Sequence, residues 1–202
     1  MRIKICGIQT LEHALVAEQV GADAIGFIFV PGTKRYITAQ AARSISSGLG
    51  GLMARVGVFR HATLEQIVQT VQIAQLSAVQ LHGQESHDYI AALEQQVSVI
   101  RAVKYSDPLP QAQTLLIDGL EAGSGQRFDW ANFDTSSLKG KRWLLAGGLS
   151  PENVAQAIAM LQPWGVDVSS GVETSGVKDP QKIRAFVQAA RDSGLYSSTV
   201  VR

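Results

Sequence analysis

Cysteine is nearly absent: the 202-residue chain carries one. A lone thiol cannot close an intrachain disulfide, which suits a reducing compartment. Net charge is nearly absent too. Lysine and arginine number 18 against 17 for aspartate and glutamate, and no basic run is longer than a pair. Neither a nucleic acid nor an anionic membrane therefore has an electrostatic footprint to bind. The apolar run from Ala24 to Val30 is far too short to span a bilayer. Met1 leads straight into a strand pattern, with no charged-then-apolar secretory segment. Low-complexity tracts and internal linkers are also missing. The expectation is a soluble cytoplasmic protein whose residues 1–202 form one domain with a substantial core.

What is present is alternation. Arg2 to Ile8, Ala24 to Val30, Met53 to Phe59, Ala78 to Gly83, Val97 to Val103, Thr114 to Asp118, Trp143 to Ala146 and Val166 to Ser169 read as short strands. Several are apolar throughout, the pattern of parallel strands buried on both faces. Between them run amphipathic segments. Leu64, Ile67, Val68 and Val71 form a stripe at i, i+3, i+4, i+7, as do Val154, Ala157, Ile158 and Leu161, and Ile183, Phe186, Val187 and Ala190. Thr10 can cap a helix over Leu11 to Val20 with Gly21 ending it, and Pro151 is expected at the first position of another. Only about ten residues, broken by Pro108 and Pro110, separate Val103 from Thr114. The fifth helix is therefore expected to be a single turn or missing. A glycine-rich loop from Gly119 to Phe128, a short helix from Trp130 and a flexible tail from Leu195 to Arg202 complete the reading.

Eight strand–helix units predict an α/β fold, a closed single-domain (β/α)8 (TIM) barrel with short loops. An open doubly wound sheet is the competing arrangement, but Cys6-Gly7-Ile8-Gln9-Thr10 is not its G-x-G-x-x-G fingerprint.

In such a barrel the chemistry belongs at the C-terminal strand ends. Those ends carry Cys6, Arg35, Phe59-Arg60-His61, His82, Arg101 to Lys104, Asp118, Gly147-Gly148 and Ser169-Ser170-Gly171. The glycine and serine turns after strands seven and eight occupy the two loops where this fold commonly holds phosphate. Gly147, Gly148, Ser170 and Gly171 would let backbone donors approach it closely; the plainer role is to permit tight turns. Cys6 is either an inert core thiol or a reactive one. Asp118 ends an all-apolar strand, where a carboxylate is costly to bury without a partner or a task, although it could cap the next loop. Arg35, if it points over the mouth, offers a planar fork for a substrate carboxylate. His82 has no matching ligand spacing, so no metal is expected. If Cys6 points inward, period two sends Lys4 inward as well. Closure then brings Asp167 beside it, predicting an interior Lys4–Asp167 ion pair beneath the thiol.

Blocks of the chain resemble the phosphoribosylanthranilate isomerases of tryptophan biosynthesis. They are Ile3-Lys4-Ile5-Cys6-Gly7-Ile8, Gly26-Phe27 with Pro31 through Ile37, and Val79-Gln80-Leu81-His82-Gly83. Further along come Gly123-Ser124-Gly125 with Phe128-Asp129-Trp130, Leu145 to Leu149, and Val166 through Glu173. The likeness runs in order from Ile3 to Ile183, with Ala122 where the family usually has a glycine. It implies an Amadori rearrangement of a phosphorylated aminosugar without any cofactor. Carried over by position, Asp118 would be the general acid and Cys6 the general base. Arg35 would hold the anthranilate carboxylate. His82, Asp167, Gly147, Gly148, Ser169, Ser170 and Gly171 would bind the remainder of the substrate. Catalysis then needs a protonated Asp118 and a thiol whose pKa is at or below that of a free cysteine. A related aminoaldose isomerase with two carboxylates, or a phosphate-ligand binding module without chemistry, are the other readings. Monomer and homodimer are both compatible with the pattern.

Overall fold

Eight parallel strands pair in chain order and close, with β1 bonded to both β2 and β8. The strands are β1 (Arg2–Cys6), β2 (Ala24–Ile28), β3 (Ala54–Phe59), β4 (Ala78–Leu81), β5 (Ser98–Lys104), β6 (Thr114–Asp118), β7 (Arg142–Ala146) and β8 (Gly165–Val168). The computed structural model describes residues 1–83, 85–104, 109–110, 112–119, 130 and 133–196. Among them are helices α1 (Leu11–Gln19), α2 (Ala39–Ser47), α3 (Leu64–Ala74), α4 (His87–Glu94), α5 (Val154–Leu161) and α6 (Pro180–Tyr196). A two-stranded ribbon, β9 (Glu173–Thr174) and β10 (Val177–Lys178), joins β8 to α6. No helix among the described residues is long and apolar enough to cross a membrane.

Register divides the barrel into two faces. Lys4 pairs with Ala24 and Asp167, Cys6 with Gly26, and Asp118 with Lys104 and Ala146. These partners share the inner face, because residues two apart on a strand point the same way. The opposite set, including Ile3, Ile5, Ile25, Phe27, Val79, Leu115, Leu145 and Val166, is buried under the helices as one apolar cluster. The expected stripes supply its other side. Ile183, Phe186, Val187 and Ala190 of α6 are all at most 1% exposed, and each larger one contributes roughly 1.5–3 kcal/mol by leaving water. The inner face is thinner in apolar groups. Ala102, Leu116, Leu144 and Ala146 form a small separate cluster on one side of it. Lys4, Gln80 and Asp167 are the buried polar residues of the inner face, and the site lies over its C-terminal end.

Helix starts are set locally. Thr10, Thr38, Thr63 and Ser86 each accept a backbone N–H with the side-chain hydroxyl, and Thr63 and Gln66 complete a reciprocal capping box. Helix α5 departs from expectation by beginning at Val154 rather than at Pro151. The cause is Asn153, whose side chain accepts from Ser150 N at 2.8 Å and donates to Gly148 O at 2.9 Å. That clasp fastens the β7 turn and delays the helix. Between β5 and β6 the described residues 109, 110, 112 and 113 are not helical; the rest of the expected fifth helix lies outside the described residues. So do the glycine-rich loop beyond Gly119 and most of the helix expected from Trp130, with a 3-10 turn at Ser136–Leu138 following. Helix α6 runs through Tyr196 and so takes in Leu195, where the tail was expected to begin; residues 197–202 lie outside the described set.

Candidate active site

The mouth is built around a buried charge pair. Lys4 Nζ lies 2.9 Å from Asp167 Oδ1, with the two side chains 2% and 8% exposed. The period-two and closure arguments thus predict the observed contact. Burial pulls the Lys4 ammonium down, but Asp167 and Cys6 together hold it above the ordinary lysine value. Cys6 sits one turn of the pleat higher and is 5% exposed, so the thiol is not on an open strand end. Burial pushes it above the free-cysteine range; Lys4, by charge and hydrogen bond, and Lys178 pull it back without prevailing, while Asp167 adds to the rise. The expectation of a thiol at or below the free value is therefore corrected. Desolvation of the thiolate outweighs the cation beneath it.

Gly26 makes this packing possible. A Cβ there would fall 2.8 Å from Cys6 Sγ and 3.3 Å from Lys4 Cε, so the thiol and the lysine stem together fill the space of the missing side chain. Gly7 has φ +80°, and a Cβ on it would meet Arg35 Cδ at 2.5 Å. The stem of Arg35 is thus laid across the backbone directly after the thiol.

Arg35 does not project free into the mouth. Its Nε and Nη2 donate to Glu173 Oε1 and Oε2 at 2.6 and 2.7 Å. Lys178 Nζ binds the same carboxylate and also donates to Ser169 O at 3.0 Å. Burial alone would raise the Glu173 carboxyl, but the hydrogen bonds from Arg35 and Lys178 bring it below the usual range. Ser169 Oγ donates to Cys6 O at 3.2 Å, tying the β8 turn to the end of β1.

Gly147 and Gly148 both have positive φ, at 90° and 64°. A Cβ on Gly171 would lie 1.8 Å from Leu149 O. The β7 and β8 turns are therefore pressed backbone to backbone, with Gly148 and Ser170 exposed on the mouth side. Asp118 is half-buried at the end of β6, on the same inner face as Cys6 and three strands away around the rim. Of the remaining strand-end candidates, Phe59 and Arg101 belong to the opposite face, and Arg101 is buried with Glu85 at 3.8 Å.

His82 stands over the same interior. Burial pushes it down to about 4, helped by Lys4 and Arg60 and opposed by Asp167. The ring is neutral at pH 7, and its Nε2 contacts Gln80 Nε2, whose amide donates to it. An unfolded histidine titrates near 6.5. Below that value the unfolded chain takes up a proton that folded His82 refuses, so stability is intact above about pH 6.5 and declines towards pH 4. The full difference is about 3 kcal/mol. Denaturant titrations from pH 7 to 4 should show that decline in the wild type and a smaller one in His82→Gln. Among the described residues no group of three His, Cys, Asp or Glu side chains could hold a metal ion.

Glu173 and Lys178 escaped the reading of the sequence. Glu173 ends the segment from Val166 that resembles the family, yet nothing local marks it as the partner of a residue 138 positions earlier. Its one signal was a pair of charged residues in a short turn-rich segment after the last strand.

Closed parallel strands, a site at their C-terminal ends and helices outside define a (β/α)8-barrel enzyme. Residues 3–189 match the family model of N-(5'-phosphoribosyl)anthranilate (PRA) isomerase. The N-(5'-phosphoribosyl)anthranilate isomerase of Deinococcus radiodurans is 43% identical over 205 residues, covering 96% of this chain and 98% of the relative. The crystal structure of phosphoribosyl anthranilate isomerase from Thermus thermophilus superposes with a TM-score of 0.86 at 40% identity, covering 95% of this chain and 99% of the other. A phosphoribosyl anthranilate isomerase crystallised with reduced 1-(o-carboxyphenylamino)-1-deoxyribulose 5-phosphate gives 0.83 at 38% identity, with the same coverage. This chain belongs to the N-(5'-phosphoribosyl)anthranilate isomerase family.

Proposed function

We propose that the chain catalyses the Amadori rearrangement of N-(5-phosphoribosyl)anthranilate to 1-(2-carboxyphenylamino)-1-deoxyribulose 5-phosphate, a cytoplasmic step of tryptophan biosynthesis. The observation that carries the reading is the shared inward register of Cys6 and Asp118 at strand ends, in a chain of this family. An acid and a base separated around a rim suit a substrate that must be protonated at one atom and deprotonated at another.

Asp118 gives a proton to the furanose ring oxygen. The C1–O bond breaks, and the nitrogen lone pair forms the C1=N bond of an iminium ion. That cation acidifies the C2 hydrogen, and the Cys6 thiolate removes it, so the C–H electrons form an enolamine and neutralise the nitrogen. The enolamine then gains a proton at C1 and loses the one on its C2 hydroxyl, giving the ketone. The electron sink is the substrate's own nitrogen, so the scheme draws on no metal or organic cofactor. The cation formed on ring opening favours the thiolate when it is needed, which offsets the burial that raises the resting thiol.

The turns that carry Gly147, Gly148, Ser170 and Gly171, with Gly148 and Ser170 exposed, suit the phosphate, since two tight turns can converge their N–H groups on one anion. Ser169 stands beside them. Asp167 and neutral His82 suit sugar hydroxyls, and Arg35 the anthranilate carboxylate.

Purified protein should convert N-(5-phosphoribosyl)anthranilate to the aminoketose, followed by chromatography with mass detection. The aminoaldose of histidine biosynthesis, offered in parallel, should turn over far more slowly. Binding of the reduced product analogue with no turnover above the uncatalysed rate would overthrow the reading in favour of a binding protein.

A further inference from the structure

Arginine presents two forks to a carboxylate: a side fork made by Nε–H and one Nη2–H, and an end fork made by Nη1–H and the other Nη2–H. Glu173 takes the side fork of Arg35, oxygen for nitrogen, at 2.6 and 2.7 Å. Nη1 donates to none of the described residues, which leaves the end fork for a ligand. Packing, burial and a second cation make this a held geometry. The Arg35 stem lies against Gly7, where a Cβ would be 2.5 Å from its Cδ. The Glu173 carboxylate is 6% exposed. Lys178 pins that carboxylate from the other side and ties itself to Ser169 O.

We propose that Glu173 is a positioning residue: by clamping the side fork of Arg35 over Gly7, it aims the end fork at the carboxylate of the substrate's aryl amine. Glu173 thereby sets the preference for a carboxylated aryl group without touching the substrate. The inference rests on the reading of Arg35 as the carboxylate binder. It also runs against bare electrostatics. Removing a negative charge from the mouth should by itself tighten binding of any anionic ligand. A positioning carboxylate has the opposite effect on the one ligand group that Arg35 recognises.

The test compares two probes by calorimetry: reduced 1-(o-carboxyphenylamino)-1-deoxyribulose 5-phosphate and its counterpart lacking the carboxyl group. In Glu173→Gln the preference for the carboxylated probe should fall roughly tenfold or more, with the affinity for the other probe within about twofold. Turnover should follow the same split, with KM rising and kcat little changed. Glu173→Asp should restore part of the preference. In an Arg35→Ala background the preference should already be lost, and adding Glu173→Gln should change nothing further. Tighter binding of the carboxylated probe by Glu173→Gln would mean that Glu173 competes with the substrate, and equal weakening of both probes would mean a general structural role; either overturns the proposal. If Arg35→Ala keeps the preference, the reading of Arg35 itself falls, and this inference with it. Should Glu173→Gln not fold, Arg35→Lys asks the same question, because a point charge has no fork to aim. Full preference with lysine overturns the proposal, and loss of it supports it.

Discussion

Alanine at Cys6 is expected to lower turnover of N-(5-phosphoribosyl)anthranilate by roughly 10²–10⁴-fold, the range associated with one positioned proton-transfer group. Affinity for the reduced product analogue should stay within a few-fold. The thiol is small, packed into the space left by Gly26, and 5% exposed, so its loss removes chemistry and little contact area. Asp118→Asn should produce a comparable fall, since ring opening precedes deprotonation and neither step substitutes for the other. The pH profile tells the two variants apart. The thiolate is the reacting form, and burial holds the thiol above the free-cysteine range. For the wild type, the thiolate requirement contributes a rising limb to kcat/KM through about pH 8.5 and above, and the need for a protonated Asp118 contributes a falling one against it. Asp118→Asn, freed of the second demand, should rise more steeply with pH than the wild type, and Cys6→Ala, freed of the first, should lose the rising limb. Stopped-assay rates from pH 6 to 10 for the three proteins decide the matter. A Cys6→Ala enzyme with near-wild-type turnover would remove the thiol from the mechanism.

Much of this site was legible in the residues because barrels obey short rules. Runs without alternation gave buried parallel strands, and strand ends located the mouth. Parity together with closure brought Lys4 and Asp167 into contact although 163 residues separate them. These inferences need only periodicity and topology. What escaped needed depth or angle. The sequence marks Cys6 as ending a strand but not as lying under the rim, and desolvation, which decides the direction of its shift, depends on that depth. In the sequence Arg35 is either a surface arginine or a fork for a substrate carboxylate. Its first partner is internal, because the ribbon of β9 and β10 turns Glu173 back over Gly7. Helix α5 starts later than its sequence suggests for a similar reason: Pro151 is a favourable first helical residue, but the Asn153 clasp on Ser150 and Gly148 takes precedence.

The Lys4–Asp167 pair should dominate stability. Lys4→Met leaves a carboxylate 8% exposed inside the barrel with no counter-charge, and breaking one side of such a pair costs about 3–5 kcal/mol. Against a total of roughly 5–15 kcal/mol for a domain, that is enough to populate the unfolded state under mild heating. Replacing both partners, as in Lys4→Met with Asp167→Leu, should recover most of the loss, because an apolar pair bears no desolvation penalty. The wild type should also weaken in alkali, and the sign follows from two groups. Lys4 is held above its unfolded value. Its contribution is complete below about pH 10.4 and disappears as the pH climbs through the folded value. Cys6 is raised as well, so the unfolded thiol ionises first and stability starts to fall from about pH 8.5. Cys6→Ala should abolish the earlier part of that decline and leave the later part, while the Lys4→Met, Asp167→Leu protein should lose the later part. Urea unfolding at pH 7, 9.5 and 11.5 separates the two contributions. A Lys4→Met protein as stable as the wild type at pH 7 would mean that Asp167 finds another partner or a proton at little cost, and the pair would then serve the reaction alone.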